Sequence, residues 1–157
     1  MCIHVSRRRL CQTATFAAVL AASSHRVIAD APKGDNANIE QPAIPDGAAF
    51  IERAFEMRRL AVENGDQAYG AVIVRDNVIV GQSWSRVMLD QDPTGHAEIS
   101  AIRDAARRLN SRSLKDTIMY SSSRPCPMCE AAAYWADIGG MIYGRNADSA
   151  GAPRLCR

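Results

Sequence analysis

Two short segments, at residues 95–98 and 125–129, contain the side chains best suited to bind a metal ion. One holds His96 and Glu98, and the other holds Cys126 and Cys129 directly after a proline. An imidazole nitrogen and two thiolates are typical zinc ligands, and three protein ligands leave a fourth tetrahedral position for water. We therefore predict one catalytic Zn²⁺ per chain, with a bound water or hydroxide, held by His96, Cys126 and Cys129. The fold must bring the two segments together.

The apolar pattern predicts three helices and four strands in the order αββαβαβ. Continuous valine and isoleucine content in the first two strands indicates that helices cover both faces of the sheet. A short turn at 75–77 joins these strands into an antiparallel hairpin. This order predicts an α/β sandwich around one mixed sheet. The helices are expected at 46–63 with Asp46 as N-cap, at 97–109 and from Cys126 to before Gly139, and the strands at 69–74, 78–84, 117–120 and 141–143.

The predicted ligands lie at the N-terminal ends of two helices. Cys126 and Cys129 are three residues apart, so both side chains lie on one helix face. The positive end of the helix dipole lowers thiol pKa values and favours the thiolates that bind metal. Glu98 follows the histidine by two residues and is not expected to bind the metal. It is the predicted catalytic residue, a general acid–base that moves protons to and from the reacting atoms.

The cysteines allow two other interpretations. A lone Cys-x-x-Cys can be redox-active, and Cys156 could complete a structural zinc site with four protein ligands. The simplest interpretation of Cys156 is an exposed thiol in the tail. Neither the redox nor the structural interpretation explains Glu98, or the position of both segments between a strand and a helix.

The first 29 residues are typical of an export signal. Three consecutive arginines at 7–9 precede a modestly apolar run at 13–22, and small residues follow up to Ala29. An arginine pair before a weakly hydrophobic segment resembles a twin-arginine signal. We expect cleavage after Ala29 and a periplasmic protein, or a cytoplasmic one if the segment is not a signal. The run is shorter than the roughly 20 residues that span a bilayer, so the mature form is not expected in the membrane.

Residues 30–45 differ in composition from the rest of the chain. They contain three prolines and few apolar residues, which predicts a flexible linker before a folded domain at 46–157. From residue 30 onward the chain carries 15 basic and 17 acidic side chains, a net charge of −2. A general nucleic-acid binder would show a strong basic excess, so a nucleic-acid partner is not expected.

Two longer blocks, residues 92–103 and 125–136, resemble those of the zinc-dependent nucleoside and nucleobase deaminases. The first reads Asp-Pro-Thr-Gly-His-Ala-Glu, and the second begins Pro-Cys-Pro-Met-Cys and ends Tyr-Trp-Ala, which is most similar to bacterial guanine deaminases. The resemblance covers about residues 48–146. It implies a cytidine-deaminase-like three-layer α/β/α sandwich with a mixed sheet, normally dimeric, and makes 46–157 a deaminase domain. It also implies hydrolytic deamination with release of ammonia.

Four residues are expected to contact the substrate. Ser85 stands where the family usually places an asparagine that hydrogen-bonds the base or sugar, and a shorter hydroxyl offers different bonding. Arg124 stands where a glutamate is common, which reverses a charge beside the site. The backbone amide of Ala97 can polarise the substrate ring. Trp135 belongs to the core, to an interface or to a base-stacking surface.

The sequence as a whole predicts an exported zinc hydrolase that deaminates a small nucleobase or nucleoside. A purine such as guanine is favoured as the small-molecule substrate, and a homodimer is expected from the resemblance. The alternative within the family is a tRNA-adenosine deaminase, which export and the missing basic excess disfavour. The alternative from another class is a zinc-binding module without catalysis.

Overall fold

Three helices and five strands form within residues 38–155, the part of the chain that the computed structural model describes. The three predicted helices and the four predicted strands are confirmed. Asp46 caps the first helix as predicted, because its carboxylate accepts a 2.7 Å hydrogen bond from the amide of Ala49. The elements are α1 (Gly47–Glu63), β1 (Gly70–Arg75), β2 (Val78–Trp84), α2 (Ala97–Arg108), β3 (Ile118–Ser121), α3 (Pro127–Trp135), β4 (Gly140–Tyr143) and β5 (Asp148–Gly151).

The strands form one sheet in the order β2-β1-β3-β4-β5. β1 and β2 form the predicted antiparallel hairpin, β3 and β4 are parallel, and the sheet is therefore mixed as predicted. The prediction of four strands missed a fifth, because residues 148–151 pair antiparallel with β4 as β5. That strand reads Asp-Ser-Ala-Gly, and its residues have low strand propensity. Its pairing with β4 and not its own composition makes it a strand.

Helices cover both faces of the sheet, which gives the three-layer α/β/α sandwich. Val72 and Val74 of β1 pack in one apolar cluster with α1, while Ala71 and Ile73 pack in a second cluster with α2 and α3. The alternation follows from the two-residue side-chain period of a strand. Glycine lets each helix come close. A Cβ at Gly70 would stand 2.2 Å from a carbonyl oxygen of α1, and one at Gly81 would stand 2.6 Å from Ala105 of α2.

One edge of the sheet collects the segments that carry the predicted ligands. Ala71 at the start of β1 pairs with Ser121 at the end of β3, and Ser121 pairs with Tyr143 at the end of β4. Trp84 at the end of β2 pairs with Gly70 at the same level. The chain therefore leaves β2 towards His96, and leaves β3 towards Cys126, from one place. We call this the site edge, and the edge at the β1–β2 turn the opposite edge.

The segment before α1 is described only in part. The predicted export signal (residues 1–29) and residues 30–37 lie outside the described range, as does Cys156. Gln41, at the described end of the predicted linker, exchanges two hydrogen bonds of 2.9 and 2.8 Å with the backbone of Ile79 in β2. Within residues 38–155, none of the helices combines the length and apolar character that crossing a membrane requires.

Candidate metal centre

The three predicted ligands meet at the site edge. The two sulfurs of Cys126 and Cys129 are 3.6 Å apart, and the Nδ1 atom of His96 lies 3.7 and 3.6 Å from them. Zinc binds thiolate at about 2.3 Å and imidazole at about 2.0–2.1 Å, so tetrahedral ligands stand roughly 3.5–3.8 Å apart. The nearly equilateral triangle therefore fits three corners of a tetrahedral zinc site. The prediction that these residues come together is confirmed.

Local sequence explains how two helices present these ligands. His96 and Cys126 are the N-caps of α2 and α3, and both have an extended backbone. Pro127 occupies the first helical position, where its fixed φ favours helix initiation. Cys129 follows Cys126 by three residues, lies on the same helix face and is buried. The positive ends of both helix dipoles therefore point towards the site and favour bound thiolates.

Glu98 lies in the first turn of α2 and is buried beside the ligands. Burial raises the pKa of Glu98, and its own backbone amide, the Cys129 side chain and His96 oppose that rise only in part. The carboxyl group therefore takes up a proton more readily than an exposed glutamate. A carboxyl group of this kind, within reach of the metal ligands, can serve as a proton carrier.

Burial also raises the pKa of the Cys129 thiol, and the nearby Glu98 and Cys126 raise it further. A bound divalent metal ion would have the opposite effect on the pKa of this thiol, because a coordinating thiol loses its proton outright. Metal binding by this triangle is consequently coupled to proton release and should weaken as the pH falls.

Three of the four predicted substrate contacts lie at the site edge. Ser85 directly follows β2 and is fully buried, and Ala97 separates the histidine ligand from Glu98. Arg124 is exposed two residues before Cys126, with its guanidinium carbon 5.8 Å from the centre of the Tyr143 ring. Their contact with substrate stays a prediction.

The fourth predicted substrate contact, Trp135, lies at the C-terminal end of α3, and its contact with substrate also stays a prediction. It is the last residue of α3, six positions beyond Cys129, which corresponds to about 9 Å of helix rise. Its exposed ring instead lines a groove of about 550 Å³ between α2 and α3, together with Ile102 and Met128.

One buried carboxylate at the site edge escaped prediction. It belongs to Asp66, in the connection between α1 and β1. Its carboxylate accepts hydrogen bonds from the amides of Gln67 at 2.7 Å and of Met88 and Leu89 at 3.0 Å each. Burial alone would raise the pKa of Asp66, but the three amides and the Ser85 hydroxyl more than offset it and lower the pKa. Nothing in the residues around position 66 indicates partners 22 residues further along the chain.

Known proteins share this arrangement of motifs. The family model described as "Cytidine and deoxycytidylate deaminase zinc-binding region" matches residues 45–145, which include the three ligands and Glu98. Together with the ligand triangle, this match confirms the predicted zinc cofactor.

Individual relatives are similar over the same part of the chain. A guanine deaminase of Bacillus subtilis is 41% identical over 95 residues, which are 60% of this chain and 61% of that protein. A tRNA-specific adenosine deaminase of Buchnera aphidicola is 37% identical over 97 residues, which are 62% and 64% of the two chains. The crystal structure of the Bacillus guanine deaminase has a TM-score of 0.59 over 60% of this chain and 61% of that one, which confirms the fold. The chain spans about six-tenths of the length of these curated relatives.

Proposed function

The chain belongs to the cytidine and deoxycytidylate deaminase zinc-binding family, and we propose from this premise that it deaminates a small nucleobase or nucleoside by hydrolysis. In this reaction a C–O bond forms between water and an amino-bearing ring carbon. The C–N bond then breaks and ammonia leaves. The observation that carries the proposal is the buried Glu98 beside a triangle of three zinc ligands.

Each residue at the site edge has a separate role in this proposed reaction. His96, Cys126 and Cys129 would hold the zinc ion, and a bound zinc ion would make water available as a nucleophile near neutral pH. Glu98 would take a proton from the attacking water and give it to a ring nitrogen, and would then take the proton of the newly added hydroxyl and give it to the departing amine. The amide of Ala97, at the positive end of the α2 dipole, polarises the ring.

The preferred substrate in this proposal is a free purine such as guanine. The relative at 41% identity is named a guanine deaminase. The net charge of −2 from residue 30 onward offers little general attraction for the phosphates of RNA. A tRNA adenosine is the second candidate, because the relative at 37% identity is named a tRNA-specific adenosine deaminase.

Ammonia release by the zinc-loaded full chain tests the proposal. The panel contains guanine, adenine, cytosine, a pterin, the corresponding nucleosides and a tRNA transcript assayed for inosine. We expect turnover of at least one small heterocycle, with guanine the best. If the protein turns over tRNA and none of the small molecules, tRNA adenosine becomes the proposed substrate in place of guanine. A fully loaded protein that turns over nothing on the panel would favour a structural zinc module.

We also propose that two copies associate through the groove between α2 and α3. The apolar side chains there include Ile102, Met128 and the exposed ring of Trp135, and interfaces are enriched in exposed aromatic and methionine residues. Light scattering should give twice the mass of one chain. Trp135→Arg should yield a monomer, while Val78→Arg at the opposite edge should leave the dimer intact. A monomeric parent protein would contradict this proposal.

Export remains a proposal that rests on the composition of residues 1–29. A positively charged start before a short apolar run supports it. The protein purified from its native host should begin near residue 30. An intact N-terminus at Met1 would refute export.

A further inference from the structure

The loop between β2 and α2, residues 86–95, ends at the metal site. We call it the site loop. Its two ends are joined, because the amide of Arg86 donates a 2.8 Å hydrogen bond to the carbonyl of Gly95. The next residue after Gly95 is the ligand His96. The position of the loop is therefore set relative to the metal ligands.

The site loop is anchored over its first half. A single carboxylate oxygen of Asp66 accepts hydrogen bonds of 3.0 Å from the amides of both Met88 and Leu89. The guanidinium of Arg86 makes two bonds of 2.8 Å to the carboxylate of Asp90. Hydrogen bonds to a charged group are stronger than neutral ones, and Asp66 is buried. The backbone at 88–89 is consequently held against the turn that leads into β1 at the site edge.

The side chains on this anchored backbone are apolar and face solvent. Met88 is 61% exposed and Leu89 is 50% exposed. Scattered exposed apolar residues are ordinary, but these two are adjacent and stand on an anchored loop that ends at the ligand His96. Pockets for small ligands are lined mainly by apolar side chains, with a few polar groups that fix orientation. Glu98 and the metal ligands supply polar groups here, and the site loop offers an apolar surface.

We propose that Met88 and Leu89 form an apolar wall against which the flat ring of the substrate packs, and that Asp66 is the positioning residue that holds this wall. The inference rests on the proposed deaminase function and concerns how the same site recognises its substrate. The chemical class it selects is a planar, uncharged heterocycle. The thioether of methionine adapts to differently shaped rings, which suits a wall that contacts a ring face.

The double variant Met88→Ala, Leu89→Ala tests the wall. Contacts that bind substrate and transition state equally change KM and leave kcat unaltered. We expect KM for the best substrate of the zinc-loaded full chain to rise about tenfold or more, with kcat within about threefold of the parent. Zinc content and melting temperature should stay at the parental values, because neither side chain is buried.

A matched control lies at the opposite edge of the sheet. Val78 and Ile118 are 47% and 39% exposed there, and they begin β2 and β3. Val78→Ala, Ile118→Ala removes a similar amount of exposed apolar surface away from the site. Its KM should stay within about twofold of the parent.

Asp66→Asn tests the positioning role, since the amide group keeps the size of the carboxylate but loses its charge. We expect faster hydrogen exchange at the amides of Met88 and Leu89 and a rise in KM close to that of the double alanine variant. The triple variant, which combines Asp66→Asn with the two alanine substitutions, should have a KM within about twofold of that of the double alanine variant, because the wall is already absent. A residue that acted on KM independently of the wall would instead show additive effects, and one that only stabilised the fold would leave KM unchanged.

The outcomes separate this inference from the proposed function. An unchanged KM in the double alanine variant, with a parent that turns over its substrate, would overturn the wall and leave the deaminase proposal standing. Additive KM effects would overturn the positioning role of Asp66. A parent that neither binds nor turns over any member of the panel would refute both the function and the wall.

Discussion

The two edges of the sheet are built in different ways. At the opposite edge, the chain turns through Asp76, Asn77, Asn110, Asp116 and Asp137, all with a left-handed backbone. Asparagine and aspartate accept this conformation more readily than other non-glycine residues, so these turns are encoded by the residues within them. At the site edge the non-glycine residues with this backbone are Gln91 and Ala147, which favour it less, and side chains that accept hydrogen bonds from distant amides help to hold the connections.

Two contacts illustrate the long-range character of the site edge. The Asp66 carboxylate binds amides 22 and 23 residues further on, and the Ser122 hydroxyl accepts a 3.1 Å bond from the amide of Gly70, 52 residues earlier. A change in a local turn alters stability where it occurs, whereas a change in a long-range contact moves groups around the metal. Substitutions at the site edge should therefore change activity, and those at the opposite edge should change stability alone.

Loss of a metal ligand should have the largest effect of any change at the site edge. Cys129→Ser should reduce zinc content well below one ion per chain and turnover to background, because only two strong ligands remain. Metal analysis together with ammonia release measures both. Met128→Leu, between the two cysteines and of similar volume, is the matched control and should keep its zinc. Full zinc loading in Cys129→Ser would argue against the ligand assignment.

Glu98→Gln should have the second-largest effect. It should lose activity and keep its metal. Removing a general acid–base typically lowers the rate by about 10²–10⁴-fold, and the amide cannot carry the proton. Zinc content should remain near one per chain, since Glu98 is not a ligand. Glu52→Gln, on the exposed face of α1, is the control and should keep parental kcat. Parental turnover in Glu98→Gln would exclude the proposed proton transfer.

Asp66→Asn should lower the free energy of unfolding by about 1–3 kcal/mol at pH 7, because three backbone amides lose a charged, buried acceptor. The folded pKa of Asp66 is lowered, so the carboxylate stabilises the fold above its unfolded pKa of about 3.9 and loses this effect as the pH falls through the folded value. The stability difference between parent and variant should therefore shrink in acid. Urea unfolding at pH 7 and pH 3 measures it, and a difference independent of pH would contradict the role of the charge.

The smallest effect is expected at the opposite edge. Asn77 has a φ of 61° in the β1–β2 turn, and Asn77→Ala should cost about 1 kcal/mol of stability. Thermal unfolding checks this value. Both kcat and KM should equal those of the parent, because no long-range bond links this turn to the site. Altered kinetics in Asn77→Ala would remove the distinction between the two edges.

Most of the fold follows from local patterns in the chain. The capping residue Asp46, the helical spacing in α2 and the β1–β2 hairpin are each encoded within a few residues. The ligand set could also be predicted, because the chemistry of one histidine and two cysteines restricts their use. What local patterns missed was β5, since Asp148–Gly151 has little strand propensity of its own and depends on its pairing with β4.

The sequence by itself thus determined the metal ligands, the position of Glu98 two residues after His96 and the order of the predicted elements, all of which depend on residue chemistry and short-range periodicity. Only the tertiary structure decided the surroundings of the site. It placed Asp66 under the site loop, buried Ser85, and put Trp135 at the far end of α3 from the ligands. The physical reason is that these contacts join residues brought together by strand register and helix packing, which no local pattern specifies.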